Sequence, residues 1–246
     1  MSHHIVEAGN LEYVYPDGTA ALRGVSFRIT HGESVALIGA NGAGKSTLLL
    51  HLNGCLVPTK GSVRVGDFPV TRETLPAIRR SVGLVFQDPD DQLFMPTVYE
   101  DVAFGPLNLG LPPEEVDRRV TDVLARVGLS HLKDKPPYRL SAGEKRSAAI
   151  ATVLSMGPDI LVIDEPSSNL DPLSRRNLIE LLKTFSHTKI IATHDLDLVL
   201  DLCERTIVLR EGRVAADGRT LDLLGNEKLM RESHLEKPYR LGASRS

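Results

Sequence analysis

The 246-residue chain is poor in the features that would place it outside an ordinary globular protein. It has only two cysteines, Cys55 and Cys203, with no metal-like spacing, so neither a disulfide framework nor a cysteine metal site is predicted. Two reduced core thiols and a reducing cytoplasm are the expectation. No stretch approaches the ~18 consecutive apolar residues of a membrane span. The start, Met1 to Glu7, lacks the apolar core of a signal peptide. Work at a membrane would therefore go through a partner. The formal charge is −3, so no global basic field gathers nucleic acid. Internal repeats and low-complexity segments are absent. His3 and His4 are read as solvated residues of a frayed terminus, and Gly242 to Ser246 as a disordered end.

What is present is concentrated in two short stretches. Gly39-Ala40-Asn41-Gly42-Ala43-Gly44-Lys45-Ser46-Thr47 fits G-x-x-x-x-G-K-[ST], a loop whose backbone N–H groups wrap a phosphate chain. It follows the apolar run Ser34–Ile38 and precedes Leu48-Leu49-Leu50, the strand–loop–helix context that the motif requires. Gly42 and Gly44 allow the close backbone approach. Lys45 brings a mobile ammonium to the terminal phosphates, Ser46 a hydroxyl to Mg²⁺, and the following helix its positive end. The second stretch, Leu161-Val162-Ile163-Asp164-Glu165-Pro166, ends an apolar strand on adjacent carboxylates. Such residues are expensive in a core without a task. Asp164 suits the Mg²⁺ shell and Glu165 the polarisation of an attacking water. His194 follows the run Lys189–Thr193 at another predicted strand end, where open α/β sheets bind ligands. ATP, Mg²⁺ and hydrolysis are the expected chemistry.

Strands are predicted at Leu11–Tyr15, Val25–Ile29, Ser34–Ile38, Ser62–Val65, Val82–Phe86, Ile160–Ile163, Lys189–Ala192 and Thr206–Leu209. The first ones, separated by Pro16-Asp17-Gly18 and His31-Gly32-Glu33, read as an antiparallel portion; the later ones alternate with helical patterns, as in a parallel α/β core. Thr97 to Met156 reads almost entirely as helix. One helix starts at Pro112-Pro113-Glu114-Glu115, carries a stripe of Val116, Val120, Val123, Leu124 and Val127, and ends at Gly128. The organisation expected is a nucleotide-binding core with an antiparallel β portion over 1–87 and 158–218, a helical lobe over 88–157, and a short tail over 219–246.

In these elements the sequence resembles the ATP-binding cassette ATPases that power ABC transporters, over nearly the whole chain from Tyr15 to the tail. Gln87, after Gly83-Leu84-Val85-Phe86, matches the Q-loop glutamine, which touches the metal and senses the membrane partner. Leu140-Ser141-Ala142-Gly143-Glu144 stands in place of the signature, usually Leu-Ser-Gly-Gly-Gln. Ser168-Asn169-Leu170-Asp171 matches the D-loop and His194 the switch histidine. Tyr15 matches the aromatic that stacks on adenine, with Tyr13 close by. The resemblance implies a P-loop NTPase with a RecA-like core, an antiparallel β subdomain and an inserted α-helical subdomain. It also implies a dimer, in which Ser141, Gly143 and Glu144 of one subunit, with Asp171, approach the nucleotide held by the other.

The signature departs from the common form. Ala142 is tolerated only where φ is negative. Ser147 and Thr152 occupy positions where many relatives carry arginine.

The segment Asp88-Pro89-Asp90-Asp91-Gln92-Leu93-Phe94, continued by Thr97 to Asn108, resembles the ATPases of energy-coupling factor importers, closest to the cobalt and nickel group. The opening Leu11 to Gly18 and the tail near Pro238-Tyr239 point the same way. The resemblance implies a peripheral subunit on the cytoplasmic face of the cell membrane. Its partners would be a second ATPase chain, a transmembrane coupling protein meeting Asp90 to Phe94, and a separate membrane component that binds the solute. Vitamin import is the nearest alternative, and a soluble ABC ATPase acting on ribosomes or DNA a further one. No nucleic-acid partner is expected.

Overall fold

A computed structural model describes the backbone of residues 4–242. His3 and the segment Ala243 to Ser246 lie outside the described residues. The elements are β1 His4–Val14, β2 Ala20–Thr30, β3 Ser34–Ile38, α1 Lys45–Leu52, β4 Lys60–Val65, β5 Phe68–Pro69, α2 Leu75–Ser81 and β6 Val82–Val85. Then follow α3 Val98–Asn108, α4 Pro113–Arg126, α5 Ala142–Leu154, β7 Ile160–Asp164, α6 Pro172–Lys183, β8 Thr188–Ala192, α7 Leu196–Leu202, β9 Arg205–Arg210, β10 Arg213–Arg219, α8 Thr220–Gly225, α9 Glu227–Glu232 and α10 Tyr239–Gly242.

Six strands form the central sheet in the order β10-β9-β3-β8-β7-β6. All its neighbours are parallel except β9 and β10. Its inner strands carry continuous apolar runs (Val35–Ile38, Ile160–Ile163, Ile190–Ala192 and Ile207–Leu209) because both faces are covered. The pleat divides them cleanly: Val35, Leu37, Ile160, Val162, Ile190 and Ile207 join one core, while Ala36, Ile38, Leu161, Ile163, Ile191 and Val208 join the other. The first core is closed by the antiparallel sheet β2-β1-β4-β5. The second continues into α3, α4 and α5, which lie between β6 and β7 in the chain.

Several expectations are corrected. Strand β3 pairs with β8 and β9 in the parallel core, not with the antiparallel portion that precedes it. Both of its faces are apolar, which only a two-sided burial satisfies. Residues 127–141 are not continuous helix but contain short 3-10 turns at Ser130–Leu132 and Pro137–Arg139, where Gly128 and Pro136-Pro137 break the pattern. Beyond Arg219 the tail carries α8, α9 and α10, with Leu224 and Met230 packed into the main core. Cys203 is buried, as expected of a core thiol, but Cys55 is exposed on the turn after α1.

Candidate functional site

The sheet order assembles the site at one end. Strands β3, β8, β7 and β6 are successive neighbours and parallel, so the residues just past their C-terminal ends fall side by side. These are the loop from Gly39, then Thr193 and His194, then Asp164 and Glu165, then Gln87. The ends of parallel strands in such a sheet form a natural ligand crevice.

The loop between β3 and α1 needs its glycines for reasons of space and conformation. A Cβ on Gly39 would lie 2.3 Å from the Leu209 carbonyl oxygen, and one on Gly44, at φ 102°, 2.7 Å from that of Ala21. Gly42, at φ 77°, faces open space. Lys45 is 7 % exposed. It folds over its own loop, donating to the carbonyls of Gly39 at 2.8 Å and Ala40 at 3.3 Å. Its ammonium stands 3.9 Å from a Glu165 oxygen.

A cavity of about 540 Å³ opens over this loop. Tyr15, Asn41, Gly42, Gly44, Lys45, Ser46, Thr47, Gln87, Glu165 and His194 all line it. The Tyr15 hydroxyl is 2.9 Å from Thr47 Oγ1, and Tyr13 packs edge-on between Tyr15 and His51, outside the cavity. Of the two tyrosines, Tyr15 is the one that lines the cavity.

Glu165 is 6 % exposed with φ 44°, a strained value for a non-glycine residue. Its amide donates to Ala192 O at 2.8 Å. One carboxylate oxygen accepts from the Thr193 hydroxyl at 3.1 Å, the His194 amide at 3.2 Å and His194 Nδ1 at 2.8 Å. The His194 side chain is otherwise largely exposed, so its far edge is free to meet a ligand.

Asp164 is also buried, and its Oδ1 has no hydrogen-bond partner. Burial pushes its carboxyl above the ordinary value, and Glu165 adds to the rise; the neighbouring Ser46 hydroxyl and the Lys45 charge offset only part of it. A buried, unpaired carboxylate oxygen beside a hydroxyl is the donor chemistry that a hard cation such as Mg²⁺ takes, so the residues present fit the ion. Asp164, Ser46 and Gln87 also line a second cavity of about 570 Å³, together with Ala142, Ser168 and Asn169.

The remaining predicted residues line neither cavity. Ala43, with Gly39, shapes the loop from behind; its carbonyl accepts from Gly212 N at 3.1 Å. Ser141 is the N-cap of α5 and forms a reciprocal capping box with Glu144: Glu144 N donates to Ser141 Oγ at 3.3 Å, and Ser141 N to Glu144 Oε2 at 2.7 Å. Ala142 opens the helix and is not among the positive-φ residues, so its methyl is tolerated. Gly143 has no room for a side chain, since a Cβ would lie 2.5 Å from Ser174 Oγ. Asp171 caps α6, accepting from Leu173 N, Ser174 N and the Ser174 hydroxyl.

Sequence reasoning passed over Arg146, the contact of Thr193 with Glu165 and the Arg175–Asp195 pair, and took Gln92 only as part of the segment Asp88–Phe94. Arg146 is 4 % exposed and donates to the carbonyls of Phe86 and Gln87. Its only signal was a second cation, after Lys145, just before the apolar run Ala148 to Ala151. Arg175 grips Asp195 with two bonds of 2.7 and 2.9 Å next to the switch position, a pairing that no spacing announces.

A buried Lys45, an unpaired Asp164 and a Glu165 aimed by His194, at the C-terminal ends of parallel strands, define a nucleoside triphosphatase of the ATP-binding cassette class. The profile of the ABC transporter family matches residues 22–168, and the chain belongs to this family as an ATP-hydrolysing, ATP-binding subunit. A candidate ABC transporter ATP-binding protein of Geobacter sulfurreducens is 71 % identical over 97 % of this chain and 96 % of its own length. The energy-coupling factor transporter ATP-binding protein EcfA of Methanocaldococcus jannaschii is 46 % identical over 96 % of this chain and 86 % of its own. Among solved structures, CbiO1 of Clostridium perfringens, described as part of the ABC transporter complex CbiONQ, is 41 % identical with a TM-score of 0.82 over 98 % of both chains. The cassette MJ0796, solved as a dimer bound to ADP and phosphate after hydrolysis, is 29 % identical with a TM-score of 0.79 over 87 % of this chain and 98 % of that one.

Proposed function

We propose that this chain powers an energy-coupling factor importer for a transition-metal ion, cobalt or nickel, by closing on a second ATPase chain around ATP. The observation that carries the reading is the end-to-end likeness to CbiO1, a part of the CbiONQ complex. The surface past β6 supports it. Leu93 is buried in the core, but Phe94 is 63 % exposed and stacks edge-on with Phe104 at 5.0 Å. Two neighbouring aromatics held out of the core offer an apolar contact to a membrane partner.

In this reading Tyr15 stacks on adenine, and the N–H groups of residues 41–47 hold the phosphates. Lys45 exchanges its loop carbonyls for terminal phosphate oxygens. Ser46, Asp164 and Gln87 would hold Mg²⁺, which would supply positive charge against the phosphate chain. Glu165, aimed by Thr193 and His194, orients a water whose oxygen bonds to the γ-phosphorus as the bond to the ADP oxygen breaks. The water's proton passes to the Glu165 carboxylate and from there to the released phosphate. Ser141, Gly143 and Glu144 serve the partner's nucleotide rather than their own, which is why they lie away from this chain's cavity. The attack is thus completed only when two chains meet.

The experiment is recovery of the chain from detergent-solubilised membranes of its own organism, with mass spectrometry of what accompanies it. Multi-span membrane proteins are expected, and their identity separates a metal importer from a vitamin importer. Recovery of ribosomes or nucleic acid, or of nothing from the membrane, would overturn the importer reading and leave the ATPase intact.

A further inference from the structure

Helix α5 grips the segment after β6 along most of that segment's length. Arg146 donates from Nη1 to the Phe86 carbonyl at 2.9 Å and from Nη2 to the Gln87 carbonyl at 2.6 Å. Lys145 holds both oxygens of Asp90, at 2.6 and 2.9 Å. Gln92 then reaches back, donating to the Ala149 carbonyl and the Thr152 hydroxyl, both at 2.7 Å, while its own oxygen accepts from Phe86 N at 3.1 Å. Thr152, at a position where many relatives carry arginine, is therefore an acceptor that seats Gln92.

Burying a guanidinium is costly unless its donors are used. Among the described residues Arg146 has no carboxylate in direct contact, and its Nε has no hydrogen-bond partner. Its hydrogen bonds go to two successive carbonyls, those of the peptide units on either side of the Gln87 Cα. A planar fork on two carbonyls fixes both the position and the orientation of the backbone that carries Gln87.

We propose that Arg146 is a positioning residue that makes Gln87 and the signature end of α5 one moving unit, so that nucleotide bound at one site of the dimer is felt at the other. This rests on the dimer reading given above. Gln87 lines the cavity of its own chain. Ser141, the cap of the helix that carries Arg146, serves the partner's site. A displacement of either end reaches the other through a few residues of helix and two hydrogen bonds.

The test uses the full chain with the variants Arg146→Lys, which keeps the charge and loses the fork, and Lys145→Ala, a surface change that leaves the core intact. Hydrogen exchange by mass spectrometry, with and without Mg-ATP, reads coupling without turnover. In the wild type, Mg-ATP is expected to slow exchange both over 39–47 and over 141–146. In Arg146→Lys it slows exchange over 39–47 alone, and residues 86–92 exchange ~10-fold faster than in the wild type, the scale of losing a charge-assisted hydrogen bond. In steady state the variant's KM for ATP stays within about twofold, kcat falls ~10-fold, and the Hill coefficient drops to one. Lys145→Ala shows the same pattern, smaller, and decides the matter if Arg146→Lys does not fold. Full protection of 141–146 by Mg-ATP in both variants overturns the proposal. A wild type that remains monomeric with Mg-ATP overturns the dimer reading and the coupling with it, an outcome that sedimentation distinguishes from failure of the clamp alone.

Discussion

Asp164 shows how a site residue can work against the fold that carries it. Its carboxylate is buried, with one oxygen unpaired, and burial raises it above its ordinary value. An acid raised on folding disfavours the native state when ionised. The penalty is absent at low pH, where the group is protonated folded and unfolded alike, and it is complete once pH has risen through the folded value. Asp164→Asn is therefore expected to melt above the wild type at pH 7 in the absence of ligand, with the gap closing as pH falls toward about 4. Mg-ATP should reverse the ranking, because ligand binding stabilises only a chain that holds it. Thermal melts across pH, with and without Mg-ATP, check both halves; a variant less stable than the wild type without ligand at pH 7 contradicts the account.

At the scale of elements, the start of α5 carries more structure than an ordinary helix cap. Ser141 and Glu144 satisfy each other's backbone donors, Gly143 lets the helix start sit against Ser174, and Lys145 with Arg146 holds the preceding segment. Loss of an N-cap hydroxyl costs about 1 kcal/mol. Ser141→Ala should thus lower the melting temperature by roughly 2–4 °C, the range for a domain of this size. Glu144→Gln keeps an acceptor oxygen at the same reach and should change it by less than about 1 °C. Differential scanning of the two variants tests the box directly. Equal losses would mean that the glutamate's charge, rather than its oxygen, sustains the cap.

For the whole molecule, the decisive feature is incompleteness. Tyr15, Lys45, Glu165 and His194 converge on one cavity, while Ser141 and Asp171 cap helices away from it. On the reading proposed above, a chain divided in this way is completed by a second copy or a close relative at each site. With Glu165 as the residue proposed to aim the water, Glu165→Gln is expected to bind ATP without turning it over, and so to sediment as a monomer alone and as a dimer with Mg-ATP. The wild type should return to monomer as ATP is consumed. A Glu165→Gln chain that stays monomeric at saturating Mg-ATP, with the nucleotide shown to be bound, rejects homodimer closure and leaves a heteromeric pair.

The sequence by itself determined whatever is contiguous. The loop from Gly39 to Thr47 is legible because its glycines, lysine and hydroxyls act within one turn of chain, and the buried strands because their apolar runs need no partner to be recognised. Strand β10 was missed because its residues are mostly part-exposed and polar, held by pairing with β9 rather than by an apolar pattern. Helices α8 and α9, six residues each, are too short to show a period. Only the tertiary structure decided the juxtapositions. Glu165 meets Thr193 and His194 because β7 lies beside β8, with Asp164 opposite Ala192. Arg146 reaches Phe86 and Gln87 because α5 packs over the end of β6. Local chemistry is written in neighbouring residues, whereas a contact between residues 28 or 60 apart exists only once the sheet has chosen its strand order.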